Sequence, residues 1–222
     1  MAKMKMNKAD AEKRAFLHIE LRANEEQETE ESGIIEGYPI VYEKKTDICG
    51  YFEETIARGA LKDADLKDVP FLVNHDLNTL PLARSRRNNG NSTMTLTDEE
   101  NGLRMSAKLD IKNNLRAAEL YSAVKRGDID GMSFMFSVEH ESWANEDTDY
   151  PSRTIEKIAK VWEVSAVTFP AYKQTSIGAR ATDDAEAKKI LDKIKRSGNG
   201  GNEEEETQKQ RLQLLIEIEA NK

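Results

Sequence analysis

The sequence predicts an α+β fold rich in strands, and three observations lead there. Short apolar runs bounded by turn residues recur between Ile34 and Leu109 and again between Gly131 and Phe169, which is the pattern of strands. One stretch between them, Asn114–Arg126, carries apolar residues at helical spacing, as an amphipathic helix requires. Both ends of the chain are charged and poor in apolar residues, so the core lies between them.

Taken in order, residues 1–14 read as a mobile basic arm, 15–180 as the folded domain, and 181–222 as a charged tail. Phe16–Leu21 alternates weakly and starts a strand, and the acidic stretch Glu25–Ser32 is a loop. Ile34–Val41 is a strand interrupted by Gly37 and Pro39, while Phe52–Leu61 fits helix and strand equally. Val69–Val73 is a short strand that ends at Asn74-His75-Asp76. Thr93–Leu96 and Leu103–Leu109 form a hairpin around the turn Thr97–Gly102. In the helix, Asn113 is the expected N-cap and Gly127 the left-handed C-terminal cap. Gly131–Val138 and Lys160–Phe169 are strands, the latter stopped by Pro170, which has no amide hydrogen to donate. In the tail, Asp183–Lys195 is helix-prone, residues 197–202 are a Gly/Asn linker, and 203–222 carry an apolar stripe suited to docking on a partner.

The bulk numbers limit the class. At 222 residues with 38% hydrophobic and 33% charged content, the chain suits a soluble domain carrying polar extensions. A net charge of −8 gives no counterion-release advantage on a phosphate backbone, so nucleic acid is not expected as a partner. The basic group Arg84, Arg86 and Arg87 reads as solvated surface. One cysteine, Cys49, and three scattered histidines argue against a disulfide framework and a structural zinc site. No apolar run is long enough for a membrane span, and the basic N-terminus has no apolar segment behind it, so a cytoplasmic location and no membrane partner are expected.

A serine nucleophile needs a base within hydrogen-bond reach and a third group to orient that base. Of the three histidines, His18 reads as structural and His140 as an exposed strand end, about 23 Å from Ser133 along an extended chain. His75, at the end of an apolar strand, is either a catalytic base or a surface turn residue. Ser133 alternates with Met132, Phe134 and Phe136, so it faces away from their core side, toward a surface that can open to substrate. Glu163 lies in a strand apolar on both faces, sharing its side with Val161, Ser165 and Val167. A carboxylate there is costly unless paired, with a histidine ring or with Arg153 or Arg180. No Gly-x-Ser-x-Gly elbow is present, which disfavours an α/β-hydrolase, and no lysine can be placed beside Ser133 for a Ser–Lys pair.

Together, Val73-Asn74-His75-Asp76, Gly131-Met132-Ser133-Phe134 and Trp162-Glu163-Val164-Ser165, with Pro170-Ala171 beyond, resemble the prohead protease family of tailed phages, itself distantly similar to herpesvirus assembly proteases. Gly59-Ala60, Leu82-Ala83-Arg84-Ser85, Asn101-Gly102-Leu103 and Arg153-Thr154-Ile155 add to the ordered set. The chain departs from the family's pattern at Tyr172 and Ala83, neither of them in the proposed triad. The resemblance implies a β-barrel-like core surrounded by helices, as in herpesvirus proteases. It implies Ser133 as nucleophile, His75 as general base and Glu163 as the group orienting His75, with no metal or other cofactor. Backbone amides are the default oxyanion donors, with Arg84 and Arg153 as side-chain candidates. Implied substrates are the major capsid protein's scaffolding segment, any separate scaffold and the protease's own tails. The implied setting is the immature capsid in the host cytoplasm, where self-association is also possible. The alternative is a non-enzymatic capsid-assembly scaffold, and a second is an esterase using the same groups.

Overall fold

A computed structural model describes residues 11–16, 21–86, 91–168 and 185–195. They form eleven strands and two helices in two sheets, an α+β fold. The larger sheet runs β4 (Thr46–Ile48), β5 (Phe52–Ile56), β11 (Ser152–Val167), β10 (Gly131–Ala144), β1 (Glu12–Phe16). β6 (Asp68–Val73) also pairs with β11, and β7 (Ala83–Arg86) pairs with β6. The smaller sheet runs β2 (Arg22–Asn24), β3 (Ser32–Val41), β9 (Gly102–Asp110), β8 (Met94–Glu99).

The fully buried side chains Ile35, Leu103, Met105 and Leu109 of the smaller sheet join Met132, Phe134, Phe136, Val161 and Val164 of the larger one in a single core. Helix α1 (Leu115–Lys125) adds Ala117, Leu120, Tyr121 and Val124. Helix α2, residues 185–195, packs Ala187 against Ile48 and Phe52 on the β4–β5 hairpin. At the β8–β9 turn, Gly102 has φ +147° and lies so close to Ile40 that a Cβ would sit 2.0 Å from its carbonyl oxygen, so only glycine fits.

The expected barrel with surrounding helices is corrected to two open sheets and, among the described residues, two helices. Backbone hydrogen bonds link the sheets where Thr93 N–H donates to the Arg84 carbonyl (3.0 Å) and where Glu43 N–H donates to the Ile56 carbonyl (2.9 Å), but no ladder continues from either to close the wall. Several boundaries also differ. Residues 12–14, read as part of the arm, belong to β1. The N-cap of α1 is Asn114, whose side chain accepts from Ala117 N–H, rather than Asn113. Gly127, at φ +76°, is the left-handed residue after that helix, as expected. The ambiguous Phe52–Leu61 resolves into strand β5 followed by a turn. β10 and β11 run well past their expected ends as a hairpin whose tip is polar and mostly exposed, so hydrophobic pattern gave no sign of it. The helix-prone Asp183–Lys195 contains α2, whereas His18, Arg87, Arg180 and the segment 197–222 lie outside the described residues.

β11 organises the larger sheet. One long edge pairs antiparallel with β10. The other pairs parallel with β5 through Ser152–Ile155 and with β6 through Val164–Ala166. Two separate sets of polar side chains therefore flank the same strand, one at each end.

Candidate active site

Ser133 pairs directly with Ser165 across the β10–β11 ladder, and Met135 with Glu163. Directly opposed residues share a sheet face, so Ser133, Glu163 and Ser165 lie on one side. The register then shifts, with Phe136 opposite Val161, leaving Trp162 as the extra residue of a β-bulge. The bulge turns Val161 into the core with Phe136 while Glu163 stays on the Ser133 face. The sequence reading, which assumed unbroken alternation, placed Val161 and Glu163 together, and the bulge corrects it.

β6 brings the histidine. Leu72 is opposite Ser165 and Val73 opposite Ala166, and the chain turns immediately afterwards. Asn74 (φ 53°) and His75 (φ 59°) are both left-handed, and Asp76 N–H closes the turn onto the Val73 carbonyl (3.1 Å). Two consecutive positive φ values are the signature of a type I′ turn, which asparagine tolerates better than histidine does. The Asn74 side chain fastens the turn to the end of β11. It donates to Thr168 Oγ1 (3.0 Å) and accepts from Thr168 N–H (2.9 Å).

The result is a continuous relay. His75 Nε2 lies 2.6 Å from Ser133 Oγ. His75 Nδ1 lies 2.5 Å from Glu163 Oε1. A carboxylate only accepts, so the Nδ1 proton points at Glu163. The second Glu163 oxygen accepts from Ser165 Oγ (2.6 Å), and that hydroxyl accepts from the His75 backbone N–H (3.2 Å). Ser133, Glu163 and Ser165 are buried, while the His75 side chain keeps 16% exposure. Glu163 thus resolves its open pairing in favour of the histidine: a buried carboxylate with both oxygens satisfied by the groups that orient the ring.

Ser165 and Asn74 were not singled out from the sequence as parts of this assembly. The signal for Ser165 was its position two residues from Glu163 on the same strand face. Asn74 had only the turn propensity of its residue type.

The remaining candidates lie elsewhere. His140 is exposed on the outer part of β10. Arg84 forms a forked pair with Asp68 (2.6 and 2.8 Å) at the β6–β7 edge. Arg153 is buried among Glu12, Glu54 and Glu141. The face around Ser133, expected to open outward, is closed: Ser133, Met135 and Ser137 are all buried.

A buried hydroxyl, an imidazole and a carboxylate in sequential contact can move one proton off the hydroxyl while stabilising the charge left on the ring. The chain belongs to the caudovirus prohead serine protease family, which matches residues 18–190. Among individual proteins, it is 31% identical over 156 residues to the prohead protease of Enterobacteria phage HK97. That alignment covers 68% of this chain and 62% of the relative, so the chain spans less than two thirds of that protein's length. No solved structure matches the chain.

Proposed function

We propose that this chain is a serine endopeptidase that cleaves capsid and scaffold segments inside the immature shell of a tailed phage. The observation carrying this reading is the Ser133–His75–Glu163 relay, with contacts of 2.6 and 2.5 Å. His75 Nε2 accepts the Ser133 proton as Oγ bonds to the scissile carbonyl carbon. The carbon–nitrogen bond then breaks, and the same proton passes from Nε2 to the departing amine. Water next attacks the acyl ester, gives a proton to Nε2, and the acid leaves as Ser133 regains its hydrogen. Glu163 holds the ring in the tautomer that leaves Nε2 free and stabilises the imidazolium between the two proton transfers. Ser165, tied to both Glu163 and the His75 backbone, is a positioning residue.

Backbone amides near Ser133 are the proposed oxyanion donors. The guanidinium groups of Arg84 and Arg153 are engaged by carboxylates in this structure, so either would have to change partners to act there. In this reading the enzyme is a distant cousin of herpesvirus assembly proteases, with a glutamate as third member. Its substrates include the capsid protein's scaffolding segment and its own C-terminal tail near the Gly/Asn linker at 197–202, and it works within the prohead. Co-expression of Ser133→Ala with the capsid protein is expected to leave every capsid subunit unprocessed on a denaturing gel. Normal processing by that variant would overturn the assignment.

A further inference from the structure

Ser133 has 0% exposure although its partner ring reaches solvent. Strand β1 lies on the β10 edge beside it. It runs antiparallel to β10, with Arg14 opposite Phe134 and Ala15 opposite Ser133, and the Arg14 carbonyl oxygen lies 2.8 Å from Ser133 Oγ.

A serine hydroxyl has one proton to donate. If it goes to Arg14 O, His75 Nε2 keeps its short contact with Oγ only by donating in turn. Nδ1 already faces Glu163, so the ring would carry a proton on each nitrogen and have no lone pair left to act as a base. If the Ser133 proton goes to Nε2 instead, Arg14 O loses this donor. The backbone of β1 therefore competes with His75 for the proton on which catalysis depends.

β1 also fills the edge that an extended peptide would use to add itself to the sheet, a recurring way for a sheet edge to bind a polypeptide. Beyond the backbone ladder with β10, side chains hold it. Arg14 Nε and Nη2 donate to Glu54 (2.5 and 2.9 Å), and Arg14 Nη2 also donates to Glu12 (2.7 Å). Glu12 accepts from both terminal nitrogens of Arg153 (2.6 and 2.8 Å). Burial would raise the Glu12 carboxyl, but the Arg153 hydrogen bond and the charges of Arg14 and Arg153 outweigh it and hold the group below its ordinary range. Ionised Glu12 thus favours the docked strand.

We propose that Glu12–Phe16 is an intramolecular plug, a strand of the enzyme's own chain that occupies the substrate's edge of β10 and keeps Ser133 latent until an extended substrate displaces it. The inference rests on Ser133 being the nucleophile. A docked β1 and a docked substrate strand exclude each other, so loosening β1 raises the reactive fraction of the enzyme.

The test uses the full-length chain and a small fluorophosphonate, which modifies only an accessible, activated serine. Labelling of Ser133 is followed by mass spectrometry in wild type, Arg14→Ala and the milder Glu12→Gln. Thermal melting verifies folding, and hydrogen exchange reports opening at residues 12–16. Both variants keep the residue-14 carbonyl and the triad. The expected result is slow labelling of the wild type and at least about tenfold faster labelling of the variants, with faster exchange confined to β1. Equal labelling rates, despite faster exchange at β1, would overturn the plug and leave Ser133 standing as nucleophile. No labelling of Ser133 in any folded protein with β1 open would sink the nucleophile assignment and the plug with it. If Arg14→Ala does not fold, Glu12→Gln decides alone.

Discussion

The two ends of β11 handle buried polarity in opposite ways. Near β6, the strand carries Glu163 and Ser165 in a chain of contacts that runs from Ser133 through His75 to Glu163 and returns through Ser165 to the His75 backbone. Near β5, it carries Arg153, one of two buried arginines shared among Glu12, Glu54, Glu141 and Glu186, several of them bridging both cations or both strands. The first arrangement suits the proton transfer proposed above, because a hydroxyl and an imidazole can each give up or take a proton. The second holds fixed charges, with Glu12 and Glu54 each bridging both arginines, and it ties β1, β5, β10, β11 and α2 together. Burial alone therefore does not mark the candidate active site. The pattern of partners does.

If that contrast is right, the two ends should fail differently. Glu163→Gln keeps the size of the side chain but presents an amide to Nδ1, favouring the tautomer with its proton on Nε2. Cleavage of a capsid-derived peptide is expected to fall by about 10³–10⁴-fold with little change in melting temperature. At the other end, Arg153→Ala leaves Glu141 without its arginine and takes from Glu12 and Glu54 one of the two buried cations they share. Breaking such a pair costs about 3–5 kcal/mol, a fall of roughly 10 °C in melting temperature for a domain of this size. Equal losses of melting temperature in the two variants would erase the distinction.

A smaller effect sharpens it further. Ser165→Ala removes the hydroxyl between Glu163 Oε2 and the His75 backbone, leaving a buried carboxylate oxygen short of a donor. The triad itself remains, so kcat should drop by roughly 10–100-fold, the scale of losing a group that orients a functional ligand, with KM nearly unchanged. A larger rise in KM than fall in kcat would mean that Ser165 binds substrate rather than positions the histidine.

The relay was largely legible in the sequence because its chemistry is sparse there. Only three histidines compete for the role of base, and Glu163 stands out as a carboxylate in an apolar strand. Family resemblance then joined segments that periodicity could not. The ion cluster was not legible. Arg14 and Glu54 are 40 residues apart, and Arg153 and Glu12 are 141 apart; read locally, each looks like ordinary surface charge. For the same reason the β5 end of β11 was missed, since Arg153, Glu156 and Lys157 break its apolar pattern. The bulge at Trp162 was invisible because an inserted residue leaves no compositional trace. The occupied β10 edge beside Ser133 was missed because β1 falls in a stretch whose composition says only that it is basic.

The slightest expected effect concerns proton binding where α2 meets β1. Glu186 accepts from Arg14 (3.0 Å) and from Lys13 N–H (3.2 Å). Burial raises its carboxyl above the ordinary 4.5, and nearby Glu12 adds to the rise while Arg14 opposes it. The charged groups acting on it are Glu12 and Arg14 of β1, which Glu54 of β5 and Arg153 of β11 hold in turn. A carboxyl raised in the docked state binds its proton more tightly there than when undocked. Docking therefore strengthens as pH falls from neutral toward that raised value, and weakens as pH rises through it. Glu12 has the opposite sign. Its lowered value favours docking above the ordinary carboxylate range, and that contribution is lost as pH falls through the lowered value. Protection of the β1 amides, corrected for intrinsic exchange, should accordingly peak in mildly acidic solution and decline on both sides. Glu186→Gln should flatten the neutral side of that profile and leave the acid side intact. A profile that rises steadily from pH 5 to 8 in wild type would show that Glu186 is held by its charge attraction to Arg14 rather than resisted by burial.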